Sequence, residues 1–456
     1  MPIFTKYFCS YKLNKDYTLL INTLTNAIDV VDNKLMDLIN KAIKNEEEIS
    51  KINNEEYDKL KSRGYIFNSL DDEKNLLKTH QKVRNKLLDT LTNIKTWTIC
   101  PSMECNLSCP YCHEDNTQHE SLKRLSIKQL DVILDFILCQ KTTNPLILIF
   151  GGEPLLKANY ELIERILKYG KIHNFPIGIT TNGTSLNDEY LNLLSSYKKI
   201  LSVQVTMDGD KEEHNKKRIF KNGCGTFDVI CDNINKFLKM NIPVSIRINI
   251  DKNNIDKLEN LKNFFNKQGW SQNANFGAYV APVRIYIEDK VAIDDSEMLD
   301  IIMKNKWYSD SFINKLDSSV FDSLFSFFEK SEKNSPAKLW QVTYCEATYG
   351  RHYCFAPNGI ISTCIRGVGR KDYMIGKFDE NCVTIDKEKL NMWKNRSPFE
   401  MKNCKDCKFI LLCGGGCPKS SIMKHGDINC GVCNDIEKTL EIYVKHNKDK
   451  FLRKDI

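Results

Sequence analysis

Residues 105–112, CNLSCPYC, place three thiols in eight positions with the spacing C-x3-C-x2-C. Thiolate sulfur is a soft ligand that suits zinc or an iron–sulfur cluster. Closed sites of either kind take four protein ligands. Three ligands leave one coordination position open, and an open position is how a bound metal reaches a substrate. A zinc knuckle that borrows a distant ligand is the lesser reading of the triplet alone. A second feature is GGEP at 151–154. Gly151 and Gly152 allow close backbone approach, and Glu153 can pair with a cation; a plain glycine turn would read the same. The run VQVTMDGDKEEHNKKRIFKNGCGTFD (203–228) brings Asp208 and Arg218, the latter able to form a bidentate pair with a carboxylate. Asn182 in TTNGT and Asn249 in RINID close two strand-like runs, as turn residues or as ligand contacts.

A second cysteine field lies downstream. Of 18 cysteines, nine fall between 345 and 433: Cys345, Cys354, Cys364, Cys404, Cys407, Cys413, Cys417, Cys430 and Cys433. The run CKDCKFILLCGGGC (404–417) reads C-x2-C-x5-C-x3-C, and Cys345-x13-Gly359-x4-Cys364 precedes it. Zinc ribbons share the C-x2-C pairs. The other six cysteines, Cys9, Cys100, Cys139, Cys224, Cys231 and Cys382, are scattered and read as small buried hydrophobes.

The elements that must position these residues alternate. Strand-like runs occupy 96–100, 146–150, 177–181, 201–207, 244–250 and 275–283. Helical runs lie between most of them, at 126–140 with Ser126 as N-cap, 159–172, 187–196, 226–240 and 254–268. Strands alternating with helices argue for parallel βα units. Six such units over 96–290 make a partial (β/α)6 TIM-like barrel, so the fold class is α/β. Such barrels carry their sites at the C-terminal strand ends, and the cysteine triplet, GGEP, TNGT and the Asp-Gly pair follow the first four strands in turn. Residues 1–80 read as a small α+β module in which Leu35, Leu38, Ile39 and Ala42 share a helical face. A polar stretch over 71–92 supplies a linker helix, placed at 81–95 between module and barrel. Residues 291–340 read as an amphipathic helical bridge, and 341–456 as a cysteine-rich iron–sulfur domain.

The triplet, with Tyr111 before its last cysteine and GGEP after the next strand, resembles the radical S-adenosylmethionine (SAM) superfamily. That resemblance implies that Cys105, Cys109 and Cys112 hold a [4Fe–4S] cluster whose fourth iron is chelated by S-adenosylmethionine. Tyr111, Gly151, Gly152, Glu153, Asn182, Asp208, Arg218 and Asn249 become candidate cofactor contacts, the GGEP turn receiving the methionyl ammonium and Arg218 the carboxylate. The downstream field resembles the SPASM domain of peptide-modifying members, which implies two auxiliary [4Fe–4S] clusters, three in all. One would use Cys404, Cys407, Cys413 and Cys433, with Cys430 able to replace Cys433. The other would use Cys345, Cys364 and Cys417, completed by Cys354 or left open to a substrate thiolate. Residues 1–80 resemble, weakly, a winged-helix-like element that binds a precursor's leader by adding it as a strand to a sheet edge. The function implied is maturation of a ribosomally made peptide: a 5′-deoxyadenosyl radical abstracts hydrogen and a thioether or other crosslink forms. Its partners would be a leader-bearing precursor peptide and a reductant such as flavodoxin or ferredoxin. Anaerobic sulfatase maturation is the alternative, but those relatives carry an Asp directly after the cysteine that Cys364 matches, and here that neighbour is Ile365. A non-catalytic iron–sulfur carrier or sensor is a further class, opposed by the open triplet and the intact GGEP.

Length and composition bound the rest. The chain has 456 residues, enough for two to four domains at roughly 100–200 residues each. A hydrophobic fraction of 41% and a charged fraction of 27% are ordinary for a globular chain. The net charge of +7 is spread over many lysines and reads as a solvated surface, a basic groove for an acidic peptide being the lesser reading. No basic stripe interleaved with aromatics argues for nucleic acid. The runs VILDFILC and PLILIF are far shorter than the roughly 20 residues of a membrane span, and the N-terminus lacks an apolar signal region. The expected location is the cytoplasm, where clustered cysteines point to metals more than to disulfides.

Overall fold

In a computed structural model, the described residues are 2–90, 93–112, 114, 124–140, 142, 145–283, 292–310, 312–313, 315–332 and 342–453. The parts of the linker, barrel end and helical bridge beyond these ranges lie outside the described residues. Five strands of the N-terminal region, β1 (Ile3–Phe4), β2 (Phe8–Lys12), β3 (Tyr17–Asn22), β4 (Ala27–Asp32) and β5 (Ile66–Phe67), come first, and six parallel strands then form the centre: β6 (Thr96–Ile99), β7 (Leu146–Ile149), β8 (Ile177–Thr181), β9 (Leu201–Thr206), β10 (Val244–Ile250) and β11 (Phe276–Pro282). They pair in sequence order, the arrangement of the expected partial (β/α)6 TIM-like barrel. Each intervening helix buries a stripe against them. On Ile127–Cys139 the stripe is Leu130, Ile133, Leu134 and Ile137, the i, i+3, i+4, i+7 spacing of an amphipathic helix. Ser126 caps that helix in a reciprocal box with Gln129, which satisfies two otherwise orphaned N–H groups.

The sheet continues past the six expected strands at both edges. β12 (Lys315–Leu316) pairs parallel with β11 through Tyr279 and Val280. It falls inside the stretch read as an all-helical bridge, between helices Asp295–Lys304 and Ser319–Glu332; a two-residue strand is too short to leave a period in the sequence. At the other edge β13 (His352–Phe355) pairs parallel with β6, and β14 (Ile360–Ser362), β15 (Met374–Phe378) and β16 (Val383–Ile385) extend it antiparallel. One 11-stranded sheet therefore joins the barrel to the cysteine-rich region. Trp97, fully buried on β6, seals that seam, with its ring 5.6 Å from Tyr353 and 6.3 Å from Phe355.

In the N-terminal region β2 (Phe8–Lys12), β3 (Tyr17–Asn22) and β4 (Ala27–Asp32) form an antiparallel sheet, and β1 (Ile3–Phe4) pairs with β5 (Ile66–Phe67). Helix Asn33–Lys44 buries Leu35, Met36, Ile39 and Ala42. Leu38 is only half-buried, so the buried face is turned toward Met36 from the one expected. Helix Leu70–Thr90, beginning ahead of the 81–95 range, ties this region to the cysteine-rich one: the buried Arg84 donates Nη2 to the carbonyls of Lys394 and Arg396 at 2.8 and 2.7 Å. No helix among the described residues is long and apolar enough to cross a membrane.

Candidate active site

At the C-terminal ends of the barrel strands a cavity of about 470 Å³ is lined by Cys105, Cys109 and Cys112, by Gly151 and Gly152, and by Asn182, Arg218 and Asn249. The loop bearing the triplet follows β6 directly. It is held by the turn after β7: the Gly152 N–H donates to the Ser102 carbonyl at 3.3 Å and the Glu153 N–H to the Glu104 carbonyl at 2.7 Å. The two glycines are required by that contact. A Cβ on Gly152 would lie 2.2 Å from the Glu104 oxygen, and one on Gly151, where φ is +126°, 2.4 Å from the Ser102 oxygen. Their lack of side chains thus serves the packing of turn on cysteine loop as well as the approach of a ligand.

Glu153 is held by neutral donors, with the Arg218 charge also acting on it. It is fully buried. Its Oε1 accepts from the Leu155 N–H at 2.8 Å and the Thr181 hydroxyl at 2.7 Å, and Oε2 accepts from the Asn182 N–H at 2.6 Å. The carboxylate clamps the ends of β7 and β8 together. Burial pushes its pKa up and these donors pull against it. Asn182 is placed in turn, with Nδ2 donating to Asn106 Oδ1 at 2.8 Å and lying 3.8 Å from Cys105 Sγ. That sulfur also receives the Leu107 N–H at 3.4 Å. Burial raises the Cys105 thiol to about 11.

Tyr111, Asp208, Arg218 and Asn249 meet in one network. The Tyr111 hydroxyl donates to Asp208 and accepts from Arg218 Nη1 at 2.9 Å and Asn249 Nδ2 at 3.4 Å. Asp208, fully buried and outside the cavity wall, accepts the Asn249 N–H at 3.0 Å. It orients Tyr111 and Asn249 rather than facing the cavity itself. Arg218 does face the cavity, and its buried Nε has no hydrogen-bond partner among the described residues. Burial disfavours its charge, but Tyr111, Cys109 and Asp208 outweigh burial and hold the guanidinium charged.

Several lining residues were not singled out from the sequence. Arg247 donates to Asp317 Oδ2 at 2.9 Å and to Asn249 Oδ1 at 2.9 Å. On β10 the alternation of buried Ile246 and Ile248 with Ser245, Arg247 and Asn249 is a period-2 signal that could have placed Arg247 with Asn249 on one sheet face. Asp317 follows β12 and left no such signal. Buried Glu114 lines the same cavity, its pKa raised by burial to about 8. Ile365 and Arg366, directly after Cys364, close the wall from the cysteine-rich region. An apolar side chain therefore stands directly after Cys364 at the cavity wall.

The downstream cysteines form two groups. Cys404 feels the charges of Cys413, Cys407 and Cys433. Cys430 turns aside to Asp427, Sγ to Oδ2 3.8 Å. Cys345 feels Cys364 and Cys417, and burial lifts its thiol to about 12. Cys413 and Cys417, four residues apart, reach different groups because Gly414, Gly415 and Gly416 all take positive φ, at 66°, 86° and 75°, a turn only glycine makes at no steric cost. Cys354 stands apart. It is near enough to Cys364 to feel its charge, but it is fully buried in a separate apolar cluster with Cys100, Met103, Ala356 and Val368, its Sγ 3.4 Å from His352 Nε2. Among the described residues no three His, Cys, Asp or Glu side chains converge as the ligands of one metal ion do; the ligands of a four-iron cluster stand farther apart, each on its own iron.

Comparison with known proteins accords with this geometry. The radical SAM superfamily model matches residues 99–265. A cysteine-type anaerobic sulfatase-maturating enzyme of Clostridium novyi is 24% identical over 334 residues, covering 70% of this chain and 86% of its own length. A radical SAM cyclopropyl synthase of Paramaledivibacter caminithermalis is 22% identical over 502 residues, covering 98% of this chain and 97% of its own. Among solved structures, Streptococcus suis SuiB bound to the precursor peptide SuiA superposes with a TM-score of 0.56 at 17% identity, covering 94% of this chain and 98% of that one. The sulfatase maturase anSMEcpe with bound AdoMet gives 0.61 at 21% identity, covering 78% and 98%.

Proposed function

We propose that this radical SAM enzyme matures a ribosomally made precursor peptide. The observation that carries the reading is the single cavity in which the cysteine triplet, Arg218 with its unpaired buried Nε, and Ile365–Arg366 of the cysteine-rich region share one wall. The donor set fits the expected groups: three thiols with an open fourth position for a [4Fe–4S] cluster, and a buried cationic donor for a carboxylate. Bound there, S-adenosylmethionine supplies, on reduction through the cluster, a 5′-deoxyadenosyl radical that abstracts hydrogen from a peptide Cα or Cβ.

The chain's own residues orient and enclose. Arg218 holds the methionyl carboxylate. The GGEP backbone, stiffened by Glu153, presents its carbonyls to the ammonium. Asn182 and the Leu107 N–H donate toward Cys105, hydrogen bonds that tune a cluster's potential. Asp208 acts through Tyr111 and Asn249. The two downstream thiol groups would hold two auxiliary clusters, three in all, and the set of Cys345, Cys364 and Cys417 would leave a position for a substrate thiolate and take up the one electron released as a thioether forms. A flavodoxin- or ferredoxin-type protein is the electron donor.

The β2–β3–β4 sheet, with two edges unpaired among the described residues, is the candidate leader site. Leader binding would raise the effective concentration of the core peptide at the cavity. The likeness to SuiB bound to its precursor peptide over 94% of the chain, against 78% for the sulfatase maturase, supports a peptide substrate over a folded sulfatase, as does Ile365. The test is mass spectrometry of a cognate precursor incubated with the reduced enzyme. We expect loss of hydrogen from the core peptide and much slower turnover of a leaderless version. An unmodified precursor beside an oxidised sulfatase peptide would reverse the assignment.

A further inference from the structure

We propose that Arg396 is a buried cation shared by the two downstream thiol groups and that it sets the reduction potentials of the clusters they hold. The inference rests on the reading above that both groups hold clusters. Arg396 follows helix Lys387–Lys394 and is 0% exposed. Its Nε donates to the Ile428 carbonyl at 2.7 Å, and Nη2 donates to the carbonyls of Gly415 at 2.8 Å and Cys430 at 3.4 Å. Nη1 has no hydrogen-bond partner among the described residues. Gly415 leaves it room, since a Cβ there would already stand 3.4 Å from Nη1.

All of these described partners are backbone carbonyls, and dipoles do not cancel a full buried charge. A lone buried cation is strongly unfavourable unless an anion faces it. Burial lowers the pKa of Arg396, and the thiols whose charge, once they are deprotonated as ligands, would oppose that come from both groups: Cys345 and Cys417 from one, Cys404 and Cys413 from the other. The segment is also fixed from outside, because Arg84 grips the Lys394 and Arg396 carbonyls. The guanidinium therefore sits on the Gly414–Gly416 turn that separates Cys413 of one group from Cys417 of the other, with Nη1 uncommitted among the described residues.

A four-iron cluster ligated by three or four thiolates is already anionic. Taking one electron from the reductant adds a further negative charge and makes or breaks no bond. Net charge and hydrogen bonds to sulfur are the levers on such potentials, and a cation placed between the clusters favours the reduced form of each. Arg396 is thus a positioning residue of electrostatic kind: it keeps both auxiliary centres able to accept an electron.

The test is a potentiometric titration, with dithionite as donor and electron paramagnetic resonance as readout. It uses full-length protein in which Cys105, Cys109 and Cys112 are replaced by Ala, so that only the auxiliary centres report. This background should hold about eight irons; far fewer would overturn the cluster reading itself and, with it, the inference. Given full iron, Arg396→Gln should shift the reduction equilibrium of both centres about tenfold toward the oxidised form, ~59 mV for one electron. Arg396→Lys, which keeps the charge, should shift it distinctly less. Unchanged potentials in an iron-replete Arg396→Gln protein would overturn the proposal. If Arg396→Gln fails to bind iron, Arg396→Lys decides: a potential near that of the parent supports the proposal, and a full tenfold shift refutes it. Loss of iron from both variants would make Arg396 a structural residue only and would also refute it.

Discussion

At the scale of single residues, the site depends on which donors are already committed. Arg218 keeps a buried donor unpaired at the cavity, so Arg218→Lys should weaken S-adenosylmethionine binding by roughly 10-fold to 100-fold, the loss expected for a charged hydrogen bond of about 1.5–3 kcal/mol. Equilibrium binding to the iron-loaded enzyme checks this, with iron content unchanged. The thiol groups make a second prediction. Cys433→Ala should cost about four irons of a full complement near 12, whereas Cys430→Ala and Cys354→Ala should keep them; iron analysis after reconstitution distinguishes the three. Much of this was legible in the sequence, because thiols at fixed spacing and polar residues at strand ends announce themselves by type. What was not legible is how neighbours use a side chain. Glu153 looks like a ligand for a cation, yet three local donors claim its carboxylate. Cys354 counts as a ninth thiol, yet it is fully buried in an apolar cluster with Cys100, Met103, Ala356 and Val368.

At the scale of elements, the decisive contact is turn against loop. The GGEP turn after β7 lies on the backbone of residues 102–104, so the geometry of the triplet is inherited from its neighbour strand. Gly152→Ala would drive a methyl into the Met103 and Glu104 carbonyls, 2.4 and 2.2 Å from a Cβ, and backbone cannot step aside as a flexible side chain can. The variant should lose S-adenosylmethionine cleavage and about four irons while the downstream groups keep theirs. Near-wild-type cleavage would show that the loop tolerates the shift. The six barrel strands and their helices were readable from alternating runs and caps. β12 was not, having two residues, and so Asp317 behind it was hidden as well. The pairing of β13 with β6 was also out of reach, since partners more than 250 residues apart share no local pattern.

At the scale of the whole molecule, one sheet carries both the barrel and the hairpin that leads into the cysteine-rich region, and Ile365–Arg366 reach from that region into the barrel cavity. The N-terminal region is bolted to the same region through Arg84. A peptide held at the N-terminal sheet, a radical made at the triplet and electron acceptors downstream would thus belong to one connected body. The account stands first on the triplet doing radical chemistry. The direct test is to reduce the reconstituted, full-length protein anaerobically, add S-adenosylmethionine and quantify 5′-deoxyadenosine. The account predicts its formation by the wild-type chain and none above background when Cys105, Cys109 and Cys112 are replaced by Ala. No 5′-deoxyadenosine from an iron-replete wild-type protein would contradict it.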